Sequence, residues 1–139
     1  MTPESQAEEA REWLRAAASD LRLAGLALSV EPPIIGLALY HAQQAAEKAL
    51  KGFLVLQGAR YRLTHNLAEL LRLCIPFDAT LEQEVLPALD LTDFATRFRY
   101  PGETEEPELE AAKRLVRISE TACESVRRRI PAQPSNSAG

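Results

Sequence analysis

Four polar side chains recur along one stretch of the chain. His41, Gln44, Lys48 and Lys51 are three, four and three residues apart, which sets them on one side of a helix. An imidazole that titrates near neutral pH can move a proton, and two ammonium groups suit an anion. Glu47 lies one turn before Lys51 and can pair with it. The plainer alternatives are a solvated face for Lys48 and Lys51, and a hydrogen-bonded core position for His41. A second cluster is Arg60-Tyr61-Arg62-Leu63-Thr64-His65, in which four residues separate Arg60 from His65. Such a pair can meet an RNA phosphate, with the guanidinium stabilising developing charge and the imidazole transferring a proton. His65 can equally be no more than a residue at a helix start. The third cluster is Thr96-Arg97-Phe98-Arg99-Tyr100-Pro101-Gly102, where a helix ends sharply after two arginines. Arg97 and Arg99 point in different directions, so one can turn inward onto a carboxylate. Asp20 and Glu47 are the candidate partners, and ion pairing outweighs ligand binding for these arginines.

The elements that must position these residues are all helical. Thr2 caps a first helix with Pro3 at its first position, and Ser5 with Glu8 offers a second start. Trp13, Ala17, Leu21, Ala24 and Leu28 step by three and four and form one apolar stripe. Gly25 is expected to serve close packing. Glu31-Pro32-Pro33 breaks the helix. A second helix runs from about Pro33 to Gln57 and stops at Gly58. Its Ala38, Ala42, Ala45, Ala49 and Phe53 make a small-residue face, buried on two sides or used in a dimer. Thr64 or Asn66 caps a short third helix with Leu67, Leu70, Leu71 and Cys74 inward. A fourth runs from Thr80 to about Arg99, with a kink or break at Pro87. Pro107 opens a fifth, whose Leu109, Ala112, Val116, Ser119, Cys123, Val126 and Ile130 share a face. No stretch alternates with period two for long enough to be a strand. The expectation is an all-α, up-and-down bundle of four long helices plus a short one, a single domain over 1–130 with a disordered tail over 131–139.

Composition bounds the function. The 139 residues carry 16 Lys+Arg against 20 Asp+Glu, a net charge of −4. A general coat for nucleic acid needs the opposite sign. The acidity gathers near the ends, in Glu4–Glu12 and Glu103–Glu110, while Lys48, Lys51, Arg60, Arg62, Arg97 and Arg99 lie between. An anionic ligand is therefore compatible with a small, placed site. The start of the chain has no basic and apolar leader pattern, and no apolar run approaches a membrane span, so a cytoplasmic protein with no membrane contact is expected. The two cysteines, Cys74 and Cys123, read as reduced core thiols, and two Cys and two His far apart give no metal-ligand spacing and no cofactor.

Trp13, Asp20-Leu21, Ala24, the run His41-Ala42-Gln43-Gln44-Ala45-Ala46-Glu47-Lys48-Ala49-Leu50-Lys51, His65-Asn66-Leu67, Leu70-Leu71, Ala95 and Arg99-Tyr100-Pro101-Gly102 together resemble a HEPN domain. The resemblance covers about residues 8–130. Its order and spacing resemble the branch of small prokaryotic HEPN proteins often encoded beside a minimal nucleotidyltransferase. It implies a helical bundle that dimerises around a cleft, and a minimal nucleotidyltransferase as partner in a toxin–antitoxin-like module. It implies Asp20, His41, Gln44, Glu47, Lys48, Arg99 and Tyr100 as a polar signature. In that picture His41, Gln44, Lys48, Arg99 and Tyr100 contact a nucleotide or RNA, and Asp20 and Glu47 form structural ion pairs. Many HEPN proteins are metal-independent ribonucleases with an Arg-x(4–6)-His motif, which Arg60 and His65 fit. As an enzyme the chain would be a ribonuclease toxin with His65, or failing that His41, transferring the proton, and Arg60 or Arg99 holding the phosphate. The remaining alternative is a purely structural dimeric bundle.

Overall fold

A computed structural model describes residues 2–60, 64–97 and 106–133, with backbone alone at 95–97. The elements are α1 (Pro3–Ser29), α2 (Ile35–Leu56), α3 (Leu67–Cys74), α4 (Leu81–Val85), a 3-10 segment (Leu86–Asp90), α5 (Leu91–Arg97) and α6 (Leu109–Arg127). The described residues contain no strand, and the all-α bundle read from the pattern is present. The expected tail lies outside the described residues from 134 onward, as do Arg62, Arg99, Tyr100 and residues 103–105 of the acidic loop.

The helix ends follow local chemistry. Thr2 Oγ1 accepts the Ser5 amide at 3.1 Å, so Thr2, and not the Ser5–Glu8 alternative, is the cap of α1. Helix α2 begins at Ile35, two residues later than Pro33, and ends before Gly58, which adopts φ +68°. That left-handed conformation suits glycine. At α3 both candidate caps contribute: Asn66 Oδ1 accepts the Glu69 amide, and Thr64 Oγ1 accepts the Asn66 amide, each at 3.1 Å. The fourth helix is interrupted at Pro87, as a mid-helix proline requires. It becomes α4, the 3-10 segment and α5, so the long helices are α1, α2 and α6. Thr80 makes no side-chain cap there; its own amide donates to Asp78 Oδ1 at 3.0 Å. Helix α6 begins at Leu109, two residues beyond Pro107.

The centre of the core is α2. Ala38, Ala42, Ala45 and Ala49 are buried with Phe53 between α1 on one side and α6 on the other. The small-residue face is thus buried on two sides within one chain and is not available to a second protomer. Ser119 Oγ donates to the Ala42 carbonyl at 2.6 Å and fixes α6 against it. Gly25 does not serve close packing: it is exposed, and a Cβ built there meets nothing within 4 Å. The close approach falls at Gly52, where a Cβ would stand 3.0 Å from Trp13 Cβ and 3.2 Å from the Ala10 carbonyl oxygen. Helices α1 and α2 meet at this distance only because residue 52 has no side chain.

At the far end, Arg129 ties the end of α6 to the start of α4. It donates to Asp78 Oδ2 at 2.8 Å and to Thr80 Oγ1 at 2.7 Å. Hydrogen bonds from Thr80 first, and then from Arg129, hold the Asp78 carboxyl below its ordinary range. Cys74 and Cys123 are buried and free. Burial pushes each thiol up to about 12, so neither forms a thiolate at neutral pH.

Candidate functional site

The polar residues of α2 occupy a continuous arc. At about 100° per residue, Gln43, Glu47, Tyr40, Lys51, Gln44, Lys48 and His41 cover about 160° of the helix circumference, in that order. Each end of the arc is organised by one carboxylate.

At one end stands Asp20, buried on α1. Its Oδ1 lies 2.8 Å from His41 Nδ1, and its Oδ2 accepts from Lys48 Nζ at 2.6 Å. His41 and Lys48 are two turns apart, so a single carboxylate on the facing helix reaches both. An ionised carboxylate can only accept, so Nδ1 of His41 carries the proton and Nε2 is the nitrogen left to exchange with a ligand. The Tyr40 ring meets His41 edge-on at 5.2 Å between centroids. The His41 and Lys48 side chains are 18% and 28% exposed, against 8% for Asp20. A buried carboxylate thus holds two groups at a surface that solvent reaches.

At the other end stands Glu47, whose side chain is 4% exposed. Lys51 Nζ donates to Oε2 at 3.2 Å, the spacing expected of residues four apart. Oε1 accepts from His65 Nδ1 at 3.0 Å and from Gln43 Nε2 at 3.3 Å. Gln43 Nε2 also donates to the His65 carbonyl at 3.1 Å, and Gln43 Oε1 accepts from Gln44 at 2.8 Å. Among the described residues no buried side-chain nitrogen or oxygen lacks a partner. The His65 ring itself is 78% exposed, so its Nε2 faces water while Nδ1 is anchored. Lys51 also lies 5.9 Å from the centre of the Trp13 ring, within cation–π range.

This arrangement corrects one expectation. Lys48 and Lys51 are not a solvated face: Lys51 is buried, Lys48 is half-buried, and each holds a carboxylate. Asp20 and Glu47, the expected partners of an inward arginine of the 97–99 segment, are engaged among the described residues by other groups. Helical spacing brings cations of α2 itself to both, with His65 added at Glu47. The side chain of Arg97 and all of Arg99 and Tyr100 lie outside the described residues. Arg60 is exposed and shares no hydrogen bond with His65 among the described residues; it lines a pocket with Thr64, Glu69, Arg72 and Leu73. Gln43 was not among the candidates, although it is fully buried and joins Glu47 to the His65 backbone. Its signal in the sequence is its place one turn before Glu47.

No group of three or more potential metal-ligating side chains is gathered among the described residues. No described helix is long and apolar enough to cross a membrane. The family model described as HEPN domain matches residues 10–129. A search of curated proteins and a search of solved structures each returned no match.

Proposed function

The chain belongs to the HEPN domain family, and from that premise we propose that it is the HEPN component of a module with a minimal nucleotidyltransferase, binding a nucleotide or RNA phosphate along the polar arc of α2. The supporting observation is Asp20. It is buried, yet it serves two groups that remain open to solvent. Burying a carboxylate costs several kcal/mol, and a pair kept only for stability is often replaceable by apolar residues at no loss. Holding His41 and Lys48 ready at a surface gives that cost a use. Lys48 has three N–H donors, and Asp20 engages one of them. Gln44, between the two carboxylate centres, adds an amide. The toxin–antitoxin role, the homodimer and the nucleotidyltransferase partner belong to the same reading.

The test is calorimetric titration with ATP and with a short single-stranded RNA. Replacing a charge-assisted donor costs about 1.5–3 kcal/mol, so Lys48→Met is expected to weaken binding roughly tenfold or more. Unchanged affinity, with the helical circular dichroism of the native chain, rejects the α2 arc as the site. If the native chain binds neither probe, the purely structural bundle is the better account.

A second reading, a metal-independent ribonuclease, draws on the other carboxylate. Glu47 orients His65 through Nδ1 and leaves Nε2 in solvent, which is the base-and-orienter geometry of general acid–base catalysis. Arg60 would then hold the phosphate. RNA incubated with the native chain in the presence of a chelator is expected to be cut. His65→Ala should abolish cleavage and His41→Ala should spare it. Intact RNA with the native chain overturns this reading.

A further inference from the structure

Outside the α2 arc, the loop after α2 and the outer side of α3 form a pocket of about 380 Å³ lined by Arg60, Thr64, Glu69, Arg72 and Leu73. Elsewhere among the described residues several cations are engaged: Lys48 with Asp20, Lys51 with Glu47, Lys113 with Glu110, Arg127 with Glu124, Arg128 with Glu84, Arg129 with Asp78; Arg114 and Arg117 line a separate pocket with Glu84. Arg60 and Arg72 are both exposed and face one pocket, and among the described residues neither has a hydrogen bond or ion pair. Thr64 Oγ1 accepts the Asn66 amide, so its own O–H is free to donate into the same space. Two guanidinium forks and a hydroxyl form a donor set with oxyanion chemistry.

We propose that Arg60, Thr64 and Arg72 form an anion site that takes one phosphate group of a nucleic-acid backbone or a nucleotide. Among the described lining residues, Glu69 leaves a single net positive charge. That balance suits a phosphodiester, which carries one negative charge, better than a terminal phosphate carrying two. Leu73, 38% exposed, supplies an apolar surface beside the charged groups for a ribose or base. The site shares no residue with the Asp20–His41–Lys48 centre. It extends the ribonuclease reading only through Arg60, and Arg72 and Thr64 are new to it. Arg72 also sits in the last turn of α3, where a cation complements the helix dipole. The measurement must therefore separate ligand binding from helix stability.

Fluorescence anisotropy of a fluorescein-labelled single-stranded RNA serves, with each variant also melted thermally. Arg60→Gln and Arg72→Gln are expected to weaken binding roughly tenfold each, with little change in melting because both residues are exposed. Each should lower the log–log salt slope by about one contact. Glu69→Gln should tighten binding, since it removes an opposing charge from the wall. These effects should persist in a Lys48→Met background, so failure of this site and failure of the α2 site give different patterns. Displacement of the RNA by a dinucleoside monophosphate but not by AMP assigns the site to the backbone. Displacement by AMP as well assigns it to a free nucleotide. Unchanged affinity in Arg72→Gln, weaker binding in Glu69→Gln, or no displacement by either competitor overturns the proposal.

Discussion

Glu47→Ala is expected to lower the unfolding free energy by about 3–5 kcal/mol, the cost of breaking a buried ion pair by removing one partner. The carboxylate is 4% exposed and accepts from Lys51, His65 and Gln43. Without it, Lys51, itself a buried cation, loses the carboxylate at 3.2 Å. Gln43, with no exposed surface, loses one of its acceptors. The start of α3 also loses its anchor, because His65 directly precedes the Asn66 cap. For a domain of this size the loss corresponds to a fall of roughly 10–20 °C in melting temperature. A double variant, Glu47→Leu with Lys51→Met, should recover only part of the loss, because the buried ammonium is gone while Gln43 and His65 still lose their acceptor. A thermal or urea melt decides. A fall below about 1 kcal/mol for Glu47→Ala would mean that the pair behaves as a surface ion pair and that the burial argument fails.

Leu26→Glu is expected to convert a homodimer to monomers. With the alanine face of α2 consumed inside the protomer, the surface proposed for a second copy is the exposed apolar group at the α1–α2 turn among the described residues. Leu23, Leu26, Val30, Ile34 and Leu37 are each between 44% and 52% exposed there. Single exposed leucines are ordinary, but a contiguous group of this kind marks an interaction surface. A carboxylate at the centre of such a patch costs about 2–5 kcal/mol, roughly thirtyfold or more in the dimer dissociation constant. Light scattering checks it. A native monomer, or a Leu26→Glu dimer as stable as the native one, places the interface elsewhere or removes it.

The parts of the fold set by local chemistry were legible in the sequence. The Thr2 and Asn66 caps, the break at Pro87, the stop at Gly58 and the buried alanines of α2 all follow from residue type and spacing. The α2 polar stripe was legible in the same way, because helical periodicity places its residues whatever surrounds them. What surrounds them was not. A row of Gln, Lys and Lys reads the same on a solvated face and on one pressed against a neighbouring carboxylate. That Lys51 is buried depends on Trp13 and Gly52, and hence on the register of α1 against α2. The same register decided between the two glycines: Gly25 points to solvent, and Gly52 sits where the helices touch. The pairing of Asp20 with His41 and of Glu47 with His65 joins residues 21 and 18 positions apart. Such contacts are made by packing, and no local pattern encodes them.

The central claim is that Asp20 holds His41 and Lys48 at the surface for an anionic ligand, and Asp20→Asn tests it most directly. The amide keeps the size of the carboxylate but loses its charge, so Lys48 and His41 are no longer held together. In titrations with ATP and single-stranded RNA, the account predicts binding by the native chain and a loss of roughly tenfold or more in Asp20→Asn, at unchanged helical content. Equal binding by the two proteins would contradict it and leave the Asp20 pair a purely structural contact.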